Sequence, residues 1–349
     1  MKPGSRWWLV GTIVLMIIPI IWFLSLADLG QVFDYLSRVD LSPGPAGAAI
    51  VLLLVGYAIH ALRWRWLLSG KSSFLDTFHA ANVGHLVNLG IPAGAGTVAR
   101  VVVLGQKQPI PVAEGASSVA VERWLELIMR VLALGAAIAL GAGLALTAGR
   151  AAGFIFLIVG SMVVMLLMVK FETKIIASWP RHLARLPGVT EDKAAEQLTN
   201  LLGGLSSVAS VRRLGVAILL SVITWTVFFG FHFLTLQSLG FLNLPVERAV
   251  AIALGSLALA APTSASRPGS YGNAIVIPLT VAGFEAAALA AYAIMLHLPQ
   301  IAVLIGLGAW AMLGSNDIDL QELWPGSEPS KPEQLESDDG KEAPMNTTS

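Results

Sequence analysis

The sequence predicts an all-α polytopic membrane protein of about 7–8 transmembrane helices, with two re-entrant or broken-helix segments in a loose internal repeat. Three observations predict it. Of 349 residues, 55% are hydrophobic and 13% are charged. That is about half the ~25% charge of an average globular chain, too little polar surface to cover a water-soluble globule. Residues 7–27 and 151–169 hold no Lys, Arg, Asp or Glu, and each run is near the ~20 residues that cross a hydrocarbon core. Neither run alternates apolar and polar positions, which excludes the strand pattern of a β-barrel. Two Gly/Pro-rich interruptions, one in each half, break otherwise apolar sequence.

Residues 7–27 follow Lys2 and Arg6 and are too long for the apolar core of a signal peptide, so they read as a retained first helix. Residues 28–45 hold three Asp and one Arg and end in Ser42-Pro43-Gly44-Pro45, which reads as a loop with a turn. A second span, 46–62, stops at Arg63-Trp64-Arg65-Trp66, where Trp and Arg suit a membrane interface. Residues 72–89 form a helix of mixed polarity, with Asp76, His79, Asn82, His85 and Asn88 spaced by threes, a stripe that faces water or protein. It runs into Gly90-Ile91-Pro92-Ala93-Gly94-Ala95-Gly96-Thr97, where Gly and Pro break the helix. Unwound backbone at membrane depth survives only against protein or a wet cavity, so residues 86–104 are read as a re-entrant hairpin.

The third span, 112–146, is too long for a simple crossing and begins with Glu114, Glu122, Arg123, Glu126 and Arg130. A fourth covers 151–169. Residues 170–213 form the largest polar insert, with seven Lys+Arg against four acids; Leu198, Leu201, Leu202, Leu205 and Val208 recur there at helical spacing, as in a helix lying on the membrane. Spans follow at 214–239 and 246–261. The second interrupted segment, 261–281, contains Arg267-Pro268-Gly269-Ser270-Tyr271-Gly272. The last hydrophobic run, 286–313, carries Pro299, and residues 314–349 read as an acidic disordered tail.

The net charge of zero hides an asymmetry. Of 22 Lys+Arg and 22 Asp+Glu, residues 314–349 hold 2 and 9, leaving the membrane body, 1–313, with a net charge of +7. Basic residues gather at the N-terminus, in 63–107 and in 170–213, so the positive-inside rule places the N-terminus and both basic regions in the cytoplasm. With no Cys there is no disulfide, thiolate metal site or cysteine nucleophile. The six His show no His-x-x-x-His or His-Glu-x-x-His spacing, and there is no Walker loop or Gly-x-Ser-x-Gly elbow, so no metal and no cofactor is expected.

Paired interrupted segments in the two halves of a membrane chain point to a binding site near the midplane, where half-helix N-termini favour a phosphate or carboxylate. Gly and Pro also serve tight packing or a kink, the plainer reading. Glu122, Glu126 and Arg130 share one helix stripe with Arg123 beside it, and Glu126 and Arg130 have the favoured order for an i,i+4 pair. Two readings stay open for these charges: ion pairs that lock helix packing, or the lining of a polar cavity in which Arg forks hold a charged headgroup. Arg63 and Arg65 are either headgroup ligands or side chains reaching to the interface.

Four motifs in order, Arg63-Trp64-Arg65-Trp66-Leu67-Leu68, Asn88 to Arg100, Glu122-Arg123-Trp124-Leu125-Glu126 and Arg267-Pro268-Gly269-Ser270-Tyr271-Gly272, carry a resemblance. Over about residues 5–313 the chain resembles the transmembrane flippase domain of the lysylphosphatidylglycerol synthase (multiple peptide resistance factor) family, as a stand-alone member. Such domains are associated with moving lipid headgroups between leaflets through two re-entrant segments. By resemblance Pro92, Gly96, Arg100, Glu122, Arg123, Pro268 and Gly272 occupy motif positions. The chain departs from the pattern at Thr97, where an acid is common, and at Asn273-Ala274-Ile275, where a Glu is usual. Those departures disfavour a cationic lysyl headgroup and leave a site dominated by Arg.

The resemblance therefore implies a lipid translocase of the cell (inner) membrane, not an enzyme, since no soluble aminoacyl-transfer domain is expected in the 36 residues after 313. A phosphate-bearing headgroup would meet Arg100, Arg123 and Arg267, with Arg63, Arg130, Glu122 and Glu126 lining the site. The expected partners are membrane lipids with an anionic or phosphate-bearing headgroup. A separate lipid-modifying enzyme and a second copy of the chain are further candidates, and nucleic acid is not. Two other classes of function compete: a membrane-embedded headgroup transferase with His79 or Glu122 as base, and a non-transporting scaffold for a separate synthase.

Overall fold

The computed structural model describes residues 29–38, 41–90, 95–140, 211–240, 244–259 and 286–313, with scattered positions between 160 and 202. Eight helices of ten residues or more carry the described chain: α1 (Leu29–Arg38), α2 (Pro43–Leu67), α3 (Phe74–Gly90), α4 (Ala95–Lys107), α5 (Val112–Ala139), α6 (Val211–Ser238), α7 (Val246–Leu259) and α8 (Ala286–Leu313). Among the described residues three stretches are long and apolar enough to cross a membrane: Pro43–Leu67, Arg212–Ser238 and Ala287–Leu313. At ~1.5 Å per residue α5, with 28 residues, is also long enough to cross, although it carries five charges. The first predicted span, the second interrupted segment (261–281 with Arg267, Pro268 and Gly272) and the tail lie outside the described residues, as does most of 151–169 and of 170–213.

Element boundaries differ from the sequence reading in three places. The stretch read as a loop contains α1, a ten-residue helix closed by an Asp34–Arg38 ion pair at i,i+4 and packed through Tyr35 on Ala291 and Ile294 of α8. It is too short and too polar to register as a hydropathic run. The second helix does not stop at Leu62 but continues to Leu67. Pro43 and Pro45 sit in its first turn, where a missing N–H costs nothing. Arg63 and Trp64 stay helical at its other end because both are fully buried against neighbouring helices. The helix of the third span ends at Ala139, and residues 141–146 of the predicted span lie outside the described residues.

Helices α2 and α6 run antiparallel. Ser42 N–H donates to the Ser238 carbonyl at one end, and at the other the Trp66 indole donates to the Arg213 carbonyl. The Leu52 side chain seats over Gly230 of α6, and the Phe228 ring over Gly56 of α2, each within 3 Å of where a Cβ would stand. A buried polar clamp joins α6, α7 and α8: His232 Nδ1 lies 2.8 Å from Ser256 Oγ, which lies 2.9 Å from Tyr292 Oη.

The first interrupted segment is an antiparallel hairpin of α3 and α4. Near its open end Gln108 donates to Asp76 at 2.8 Å. Near its closed end the Asn88 side chain accepts from Gly96 N–H at 2.9 Å and so caps the first turn of α4. Between these contacts the backbones touch at Gly84 and Gly96. At 17 and 13 residues, each arm is shorter than the ~20 needed to span. Loss of the Asn88 cap is expected to cost about 1 kcal/mol. Asn88→Ala should therefore lower the thermal unfolding midpoint of the detergent-solubilised protein by a few degrees, and an unchanged midpoint would show that Gly96 N–H has another acceptor.

Candidate functional site

Four helices deliver polar side chains, three of them charged ones, to one buried place. Arg63 comes from α2, Arg100 from α4, and Glu122, Arg123 and Glu126 from α5, while α6 contributes Ser221. Glu122 is fully buried, Arg63 is 1% exposed and Arg100 3%. Glu122 and Glu126 stand one turn apart on α5, so both face the same neighbours.

The pairing is dense. Arg63 Nη2 donates to Glu126 Oε1 at 2.9 Å and lies 3.4 Å from Glu122 Oε1, while Nη1 donates to Ser221 at 3.3 Å. Arg100 Nη1 spans both Glu122 oxygens at 3.2 and 3.3 Å, and its guanidinium lies 4.7 Å above the Trp64 ring. Trp64 is fixed as that platform by its indole N–H, which donates to Ser118 at 3.0 Å. Arg123 Nη1 donates to Glu126 Oε2 at 2.9 Å, and Nη2 reaches Thr97 at 3.4 Å. Arg123 alone of the three arginines is open to solvent, with a third of its side chain exposed.

His60 completes the inner wall. Arg63 can only donate, so the 3.3 Å contact from its Nη2 makes His60 Nδ1 an acceptor. The ring proton of the neutral imidazole then sits on Nε2, 3.2 Å from Glu122 Oε1 though off hydrogen-bond alignment. His85 packs on His60 with ring centroids 5.3 Å apart. His60, Glu122 and Glu126 bring donor atoms within 4.8 Å of one another, a spacing a cation could use. Those carboxylate oxygens already accept from three guanidiniums, whose charge opposes a metal, so the donor set fits an arginine–carboxylate network instead.

Among the described residues guanidinium outnumbers carboxylate here. Three arginines share two glutamates, so the paired core carries a formal excess of one positive charge. Arg100 Nε and Nη2 and Arg130 Nε are buried and have no partner among the described residues. An unmade buried donor costs ~1–3 kcal/mol, more when charged. The arrangement is thus incomplete on its cationic side, and an anion accepting from the free edge of Arg100 would complete it.

Two sequence expectations are corrected. Glu126 pairs with Arg63 and Arg123, not with Arg130, because those guanidiniums reach its two oxygens from α2 and from the preceding turn of α5. Arg63 does not reach to an interface; its partners hold it inside the bundle. Gly96 lies against Gly84, one turn before Arg100. Pro92, Arg267, Pro268 and Gly272 lie outside the described residues. His79 does not join the cluster and packs on Trp310 at the open end of the hairpin, at 4.7 Å. His60, His85, Trp64 and Ser221 were not singled out as site residues. The spacing of His60 and Arg63 at i,i+3 on an apolar helix was the signal that a polar face existed there.

A family model described as the lysylphosphatidylglycerol synthase TM region matches residues 8–308. No curated protein and no solved structure matches the chain. The matched residues take in both interrupted segments, the arginine–carboxylate network, two of the apolar spans and most of Ala287–Leu313. The chain belongs to the family of lysylphosphatidylglycerol synthase transmembrane regions, multi-pass membrane proteins with a lipid-related function.

Proposed function

We propose that the protein is a lipid translocase that moves a phospholipid or lipid-linked phosphate headgroup between leaflets through the arginine network. One observation carries the reading: the buried edge of Arg100, unpartnered among the described residues and backed by an excess of guanidinium over carboxylate there. An Arg edge presents parallel N–H groups that match two phosphate oxygens. Arg123 is the entrance residue, because it is partly exposed and its bond to Thr97 is long enough to yield to a stronger acceptor. Glu122 and Glu126 hold the arginines in place and keep the vacant site from carrying three uncompensated charges.

The positive-inside rule orients the molecule. Arg65, Lys71, Lys107 and Arg213 gather where α2 and α4 end and α3, α5 and α6 begin, so that end faces the cytoplasm of a cell-membrane protein. The hairpin of α3 and α4 then enters from the cytoplasmic side, returns to it, and presents the N-terminus of α4 at depth. The masses of the transported lipids stay unchanged, which separates this reading from a headgroup transferase.

The test is a leaflet-resolved assay in proteoliposomes holding labelled phosphatidylglycerol, with lipid masses checked before and after. Each charged hydrogen bond lost costs ~1.5–3 kcal/mol. The double variant Arg100→Ala, Arg123→Ala is therefore expected to slow flipping by at least about tenfold with lipid masses constant. Flipping at the wild-type rate in that variant removes the site, and a shifted lipid mass replaces translocation with transfer.

A further inference from the structure

One turn along α5 and α6 from the arginine network, the buried cluster of Ala133, Trp225 and Leu257 borders an apolar groove of about 220 Å³, also lined by Met129 of α5, Val222 of α6 and Leu254 of α7. Its space suits roughly seven groups of the size of a water at ~30 Å³ each, enough for a run of hydrocarbon chain, and its apolar lining gives a charged headgroup no counter-ion.

Position ties the groove to the charges. On α5, Glu122, Glu126, Met129 and Ala133 fall at i, i+4, i+7 and i+11, one continuous helix face. On α6, Ser221, which accepts from Arg63, is followed one turn later by Trp225. Both helices thus pass from the arginine network to apolar lining within about 5.4 Å of rise. Val222 at the rim is 44% exposed, so the groove is open at its side. A buried charged cluster one helical turn from an apolar trough matches an amphiphile with a phosphate at one end and a hydrocarbon chain at the other. Neither a polar peptide nor a free phosphate uses both parts.

We infer that the α5–α6–α7 groove is the subsite for one acyl chain of the lipid whose phosphate meets the arginines; this rests on the translocase reading. The chain lies along Met129 and Trp225 while the headgroup stays one turn away, so the lipid is held at two points.

The test uses the full chain in phosphatidylcholine vesicles containing phosphatidylglycerol with a diazirine on one acyl chain. Adducts are mapped by mass spectrometry. Val222 and Thr226 are exposed groove residues, so Thr226→Trp and Val222→Trp fill the trough without disturbing the core. In parallel, glycerol phosphate, which has the headgroup chemistry and no chain, is tested for thermal stabilisation. Adducts are expected to concentrate on Met129, Val222 and Trp225 and to fall at least fivefold in both Trp variants, with stabilisation by glycerol phosphate unchanged. Adducts spread evenly over lipid-facing positions such as Val51, and indifferent to either Trp, overturn the groove and leave the headgroup site standing. Groove adducts in a wild-type protein that glycerol phosphate does not stabilise sink the headgroup reading, and with it the assignment of the groove to that lipid.

Discussion

Glu122→Ala is expected to cost about 3–5 kcal/mol of stability, the usual penalty for leaving a buried charge without its partner. Glu122 is fully buried and serves Arg100, Arg63 and His60 at once. Its removal leaves Arg100 with no carboxylate within ion-pair distance among the described residues. The exposed counterpart is Lys71–Glu114, paired at 2.6 Å with half of the lysine in solvent; breaking it should cost no more than ~1 kcal/mol. Denaturant unfolding of the two variants in detergent makes the comparison directly. The double change Arg100→Met, Glu122→Leu should recover most of the loss, since apolar residues often replace a buried pair at little cost. An alanine at 122 that unfolds like the wild type would mean that Glu122 is not the counter-ion of this network.

Gly96→Ala should be nearly as damaging, for a steric reason. A Cβ at 96 would stand 1.8 Å from the Gly84 carbonyl oxygen and 2.5 Å from Asn88 Cγ. The first obstacle is backbone, so the arms of the hairpin must separate. Overpacking typically costs ~1–3 kcal/mol, and here it also removes the Asn88 cap. Arg100 lies one turn further on the same face, so separation draws its guanidinium from Glu122 and from the Trp64 ring. The variant is expected to lose stability and flipping together. Gly135→Ala is the control: nothing stands within 4 Å of its Cβ, and helix propensity favours alanine by ~0.5–1 kcal/mol. Equal stability of the two variants would refute the close contact of α3 and α4.

The same contacts mark how much was legible in the sequence. Apolar runs ending in Gly, Pro or charge locate α2, α6 and α8, since length and hydropathy are local properties. The helix break after Gly90 was legible because Gly and Pro cannot propagate a helix. The polar stripe Asp76–His79–Asn82 was legible as a side facing water or protein, and in the structure His79 and Asn82 are buried. The partner of each charge was not. Glu126 meets Arg63, 63 positions away on another helix, and Arg100 reaches Glu122 where glycines at 84, 96 and 115 let α4 lie close against α3 and α5. Local spacing offered Arg130 instead. Arg63 and Trp64 looked interfacial for the same reason, because hydropathy does not record the carboxylate and hydroxyl that receive them from another helix.

The central claim is that the free edge of Arg100 holds a lipid phosphate. Solid-state NMR distance measurement between phosphorus-31 of phosphatidylglycerol and nitrogen-15 of labelled arginine, on the reconstituted protein, tests it most directly. A dipolar contact at hydrogen-bonding range that disappears in Arg100→Gln is the predicted result. A lipid phosphorus with no arginine contact in the wild type, or with one that survives intact in Arg100→Gln, would contradict it.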